Sequence, residues 1–285
     1  MKAWQFIGVS FFLGFISFGF KTAGAQNKYI AVDMGYNIRA NSYFRGEVLN
    51  YNSSGFTSNG NKKSLNISFG QGFNLGLGFG YLFTKNMGAE LGVAYLEGSR
   101  IVTDKSINTY VSGVDKSTFE IRARSLRIVP AFKLSTDMGK WNPYTRFGML
   151  IGIINNVREY SFKESTLGTN TTTTDTEWEM KGLMSFGFCG SAGIGFTLSE
   201  KMKLFIECNL LSQSFTPKKE VMNKYEINGT DQLSSLNIIE KETEFEKEYN
   251  FNNGIVPDFN APRKMLAVSA PYSTIGFSIG IQIVL

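Results

Sequence analysis

Any chemistry done by this 285-residue chain has to be done without imidazole, because the sequence contains no histidine. Ser–His and Cys–His nucleophilic catalysis, histidine zinc sites and histidine pH switches are thereby excluded. Two cysteines, Cys189 and Cys208, are too few for a disulfide framework and stand in no metal-ligand spacing. They fall on opposite strand faces and at different distances from a shared turn, so they read as small unpaired residues. Lysine and carboxylate chemistry remains. The charges with the most constrained surroundings are Asp33, Glu90, Arg127, Lys133, Arg146 and Glu207, each set in a run of alternating apolar and small residues. No recognisable nucleophile accompanies them. The Gly-x-Gly patterns between Phe186 and Phe196 precede no predicted helix and so are not nucleotide loops. The expectation is no catalytic residue, no metal, no cofactor and no enzyme.

Strands must position those six charges. At the C-terminus Ile275, Phe277, Ile279, Ile281, Ile283 and Leu285 share one face, while Thr274, Gly276, Ser278, Gly280 and Gln282 share the other. The same division recurs from Ile30 to Ile38, Phe73 to Phe83, Leu91 to Tyr95, Leu126 to Leu134, Phe147 to Ile153, Phe186 to Leu198 and Leu204 to Leu210. That makes eight segments. In a soluble sandwich the second face would be polar and wet. Here it is mostly Gly, Ala and Ser, which suits the inside of a narrow closed barrel whose outside meets hydrocarbon. Parity puts all six charges inside, with Glu90, Lys133, Arg146 and Glu207 near the periplasmic end. Charges in so narrow a space must pair or hydrate, so the expected lumen is plugged by paired charges.

The connections fix the topology. Residues 84–87, 137–142 and 200–202 are short turns, whereas about 39–67, 101–118, 161–178 and 216–263 are long and polar. Strict alternation of short and long is the pattern of periplasmic turns and outer loops. The predicted fold is therefore all-β: a closed antiparallel up-and-down transmembrane β-barrel of eight strands with four long extracellular loops. Alternation of Phe245, Lys247, Tyr249 and Phe251 leaves ten strands as the other count. Phe119, Ile121 and Ala123 reverse the phase of the Leu126–Leu134 row, predicting a bulge near Ser125 or a strand leaving the membrane.

Bulk properties agree with a single exported domain. Lys2 precedes an uncharged run from Trp4 to Phe20, and Ala23-Gly24-Ala25 supplies the small residues of a cleavage site. Residues 1–25 are thus read as a signal peptide and 26–285 as the barrel. Removing the leader takes away Lys2 and Lys21, leaving 27 bases against 24 acids. With so little net charge, scattered among acids, nucleic acid is not an expected partner.

With these segments in hand, the chain resembles the small outer-membrane β-barrel families typified by the OmpA transmembrane domain, OmpX and OmpW. It is most similar to barrel proteins common in Bacteroidetes. Ser278, Gly280, Ile283 and Leu285 resemble the C-terminal signal read by the barrel assembly machinery, although that pattern usually ends on an aromatic. The resemblance implies integral residence in a Gram-negative outer membrane, contact with lipid and lipopolysaccharide, and the assembly machinery as a partner during biogenesis. A protein partner bound through the outer loops is a further expectation. The expected role is structural or surface-interacting and non-enzymatic. A small porin-like channel and an accessory barrel of a secretion or assembly system stand as alternatives.

Overall fold

The computed structural model describes residues 27–40, 45–54, 57–110, 112–136, 138–248 and 258–285, with 45–54 and 57–66 described by backbone alone. The leader expected at 1–25, and Tyr249 and Phe251 of the ten-strand alternative, lie outside these residues. The strands run in chain order from β1 (Asn27–Arg39), β2 (Arg45–Ser54) and β3 (Thr57–Asn66) to β4 (Gly72–Leu82) and β5 (Met87–Gly98). Then come β6 (Ile101–Thr109), β7 (Gly113–Ser135), β8 (Trp141–Leu167), β9 (Asn170–Gly182), β10 (Ser185–Ser199) and β11 (Met202–Phe215). The remainder are β12 (Pro217–Ile227), β13 (Thr230–Asp231), β14 (Glu242–Glu246), β15 (Arg263–Leu266), β16 (Ala270–Pro271) and β17 (Thr274–Val284). Among the described residues no helix is long and apolar enough to cross a membrane. The crossing is left to strands.

Eight of these strands form a ring in which every neighbour is antiparallel: β1, β4, β5, β7, β8, β10, β11, β17 and back to β1. The eight are the alternating segments of the sequence, joined by the short turns expected for one end. Followed from partner to partner, the register that leaves Asn27 passes Leu82, Gly88, Lys133, Arg146, Ser191, Asn209 and Gly276. It returns to β1 at Asn37, ten residues further on. A stagger of ten over eight strands, at about 3.3 Å rise and 4.8 Å spacing, tilts the strands by about 40°. That is the tilt of a narrow barrel filled by its own side chains.

Phe188 is 69% exposed and Phe277 60%, and Val32, Leu77, Leu91, Phe147 and Ile206 lie on the same outward belt. A continuous apolar girdle of this size has no place in water. It is the surface that hydrocarbon covers. Trp141 and Phe196 pack with ring centroids 4.8 Å apart at the short-turn end, where aromatic side chains suit the headgroup level. Inward, two glycines are required by close approach: a Cβ on Gly80 would collide with the Tyr29 ring, and one on Gly280 with that of Phe205.

At the other end the wall does not stop at the membrane. β7 and β8 are 23 and 27 residues long, more than twice the roughly ten residues that span hydrocarbon. β9 leads into β10, and β12 follows β11, so these strands also continue outside the ring. Beyond the girdle they form an open outer sheet in the order β3, β2, β6, β7, β8, β9, β12, β14, β15. The connections expected as polar loops are therefore largely strands. Thr169 and Gly168 make the tip of the β8–β9 hairpin, with Gly168 at φ 60°. The expected bulge also moves. β7 keeps one parity from Phe119 to Lys133, and the register slips on β8 between the partners of Leu126 and Arg127. There Ile153 and Ile154 both face outward, 45% and 55% exposed. The phase reversal in β7 instead marks a strand leaving the membrane, whose inner face turns apolar above it.

Candidate functional site

From the short-turn end, the lumen begins with Tyr29, Ala31 and Phe205, against which Leu82 and Tyr144 pack. Above them Arg146 pairs with Glu90 through Nη1 and with Glu207 through Nη2. The Tyr29 hydroxyl donates to Glu90 Oε2 at 2.9 Å, and Arg146 Nε donates to Ser191 Oγ at 3.3 Å. Lys133 Nζ donates to Gln282 Oε1 at 3.1 Å and lies 4.6 Å from the ring centroids of both Tyr29 and Tyr144. Glu90, Lys133 and Glu207 are all buried. The inward parity of β5, β7, β8 and β11 and the near-level register of these residues bring the four charges together. Charge-assisted, multiply hydrogen-bonded pairing is what lets such groups stay ionised out of water.

The other two predicted charges are placed differently. Asp33 lies on the wall of an internal cavity of about 90 Å³, above the Arg146 pairs, and makes no ion pair among the described residues. Asn37, Asn74, Arg127 and Asn209 line the same space. Arg127 sits apart from the network, 1% exposed, with its guanidinium over the Tyr272 ring at 5.7 Å. Ser278, from the expected C-terminal signal, accepts a 2.9 Å hydrogen bond from Asn209 Nδ2 on the lumen side. Gly280 faces Phe205, while Ile283 and Leu285 point to the lipid. Cys189 is lumenal, Cys208 is on the outer surface, and both are free.

What closes the outer end leaves little trace in the sequence. Ser125 donates to Asn155 Oδ1, Asn155 Nδ2 to Ser185 Oγ and Gln213 Nε2 to the same hydroxyl, each at 2.9 Å. Over this polar layer lies an apolar cap of Ile67, Phe69, Leu96, Ala123, Val157, Phe215, Ala270 and Tyr272. Tyr272 meets Phe69 and Phe215 edge-on at 5.8 and 5.9 Å. The Phe119–Ala123 phase reversal was its one periodic trace. Ile67, Phe69 and Tyr272 come from aperiodic segments just before β4 and β17, pinned by Ser68 Oγ donating to the Ser273 carbonyl at 2.7 Å.

The outer sheet is polarised. Its outward face is a lattice of ion pairs, among them Arg158 with Glu177 and Glu179, Lys224 with Asp175 and Glu226, and Lys116 with Glu164. Its inward face carries Met180, Met222 and Trp178 beside Glu159 and Glu220. Burial, and then the neighbouring Glu159, push the Glu220 carboxyl up to about 7, and burial raises Glu159 as well. Among the described residues no cluster of His, Cys, Asp and Glu could hold a metal ion.

A family model described as outer membrane protein β-barrel domain matches residues 40–232, more than half of the chain. No curated protein matches the sequence significantly. Among solved structures, the attachment invasion locus protein Ail of Yersinia pestis aligns at a TM-score of 0.31 and 9% identity. That alignment covers 92% of this chain and 100% of the other.

Proposed function

We propose a function from the premise that the chain belongs to the outer membrane protein β-barrel domain family and is an integral protein of the outer membrane: a non-enzymatic anchor that presents a surface-interaction sheet. The observation that carries this reading is the contrast between the barrel's two regions. Its lumen is occupied by a salt-bridge network below and an apolar cap above, whereas its wall continues outward into a sheet with an extended, charge-patterned face. Rigid scaffolds that hold variable outer segments commonly place recognition there. The partners expected on this reading are lipopolysaccharide and a protein met at the cell surface, with export through a cleaved leader at 1–25. A photo-crosslinking side chain at Phe162, which is 46% exposed on the outward face, tests it on intact cells. A specific adduct is expected there; its absence at Phe162 and at other outer-sheet positions would count against the reading. A porin-like channel is the second reading, favoured by the cavity beneath the cap, which Asp33, Asn37, Asn74 and Asn209 help to line. An accessory barrel would instead yield one stoichiometric adduct with another membrane component.

A further inference from the structure

We propose that the outer half of the lumen holds a small monovalent anion of the halide class, bound by Arg127. The six lumenal charges divide unevenly. Arg146 is shared by Glu90 and Glu207, and Lys133 lies in the field of the same two carboxylates. Asp33, the third acid, faces that group too, its charged neighbours being Arg146, Glu207 and Glu90. Strands β4 and β5 separate it from Arg127 around the ring. The titratable groups that act electrostatically on Arg127 are Tyr272 and Cys189, both ordinarily neutral at pH 7, while Asp33, Glu90, Arg146 and Glu207 line the same cavity. Arg127 Nε and Nη2 are buried and have no hydrogen-bond partner among the described residues. A fully desolvated guanidinium in this state calls for a counter-charge.

The surroundings supply a place for one. Arg127 lines the internal cavity together with Asn37, which is 2% exposed and whose Nδ2 is a second buried donor without a partner among the described residues. Asp33, Glu90 and Glu207 line the same space, but at the part bounded by Arg127 and Asn37 two unmatched donor groups, one of them cationic, favour a negative ligand. The cavity, about 90 Å³, has room for a single small ion with several waters. Those waters would serve the unmatched acceptors Asn74 Oδ1 and Glu207 Oε2. A phosphate ester or nucleotide would not fit. The proposal does not depend on the surface-interaction reading, since neither partner nor outer sheet enters it.

Bromide is the probe. Crystals of the detergent-solubilised full barrel, soaked in sodium bromide, are expected to show anomalous density within hydrogen-bonding range of Arg127 Nε and Nη2. That peak should vanish in Arg127→Met, with folding of the variant checked by its heat-modifiable gel mobility. A wild-type map with water alone in the cavity overturns the proposal, as does a peak that survives in the variant. If Arg127→Met does not fold, the wild-type map still decides. Thermal unfolding gives an independent reading: at equal ionic strength bromide should raise the wild-type midpoint over gluconate and leave Arg127→Met unmoved. Equal shifts in both proteins would contradict it.

Discussion

Arg146 is the residue on which the lower lumen depends. It neutralises Glu90 and Glu207, both nearly inaccessible to water. Arg146→Ala leaves two adjacent unpaired carboxylates, and removal of one partner from a buried pair costs about 3–5 kcal/mol. Urea unfolding of the protein in lipid vesicles should show that loss, and a triple Glu90→Gln, Arg146→Met, Glu207→Gln variant should recover most of it. If the single variant unfolds like the wild type, the network is not structural. On the outer sheet, Glu220 has its pKa raised to about 7 by burial and by Glu159, against a countering Arg263. A carboxyl held above its unfolded value binds more protons folded than unfolded between those values, so stability falls as pH rises through that window. Its contribution is full below about 4.5, the unfolded value, and is lost as pH passes about 7. Hydrogen exchange in β9 and β12 is therefore expected to be slower at pH 5 than at pH 8, after correction for the intrinsic rate. Glu220→Gln should flatten that difference, and a persisting pH dependence would assign it elsewhere.

At the scale of elements, the bulge on β8 sets which side chains face the lumen above the membrane. Because strand faces alternate, a one-residue change of register reverses all that follow. Ile153 is the extra residue of that bulge, so deleting it should restore plain alternation, keep Asn155 and Val157 inward and retain both the Ser125–Asn155–Ser185 layer and the heat-modifiable folded form. Loss of the folded form in the deletion variant would contradict this register. The cap makes a separate prediction. Phe215→Ala removes a ring that is 1% exposed, at a cost of about 3–5 kcal/mol, seen as a lower unfolding midpoint. The ring strands were legible because lipid and lumen impose opposite demands on alternate residues, as at Phe73–Phe83 and Ile275–Leu285. The same parity put Glu90, Lys133, Arg146 and Glu207 on the inner wall. The outer sheet was not legible, since both of its faces mix charge with apolar residues and β12 reads as a polar loop. Nor was Tyr272, whose position depends on a long-range hydrogen bond between Ser68 and the Ser273 carbonyl rather than on a local pattern.

For the whole molecule, the parts combine into a short membrane cylinder that is filled at two levels and an outer sheet that extends its wall. The stagger of ten over eight strands keeps the bore narrow, and the glycines facing Tyr29 and Phe205 show how little space the side chains leave. Solute passage would require the Arg146 network and the Tyr272–Phe215 cap to open together. On the proposed reading the barrel is an anchor and not a conduit. Planar-bilayer recording of the purified wild-type protein tests it most directly. A closed baseline without sustained current steps is expected, and steady single-channel openings at low voltage would overturn the anchor reading.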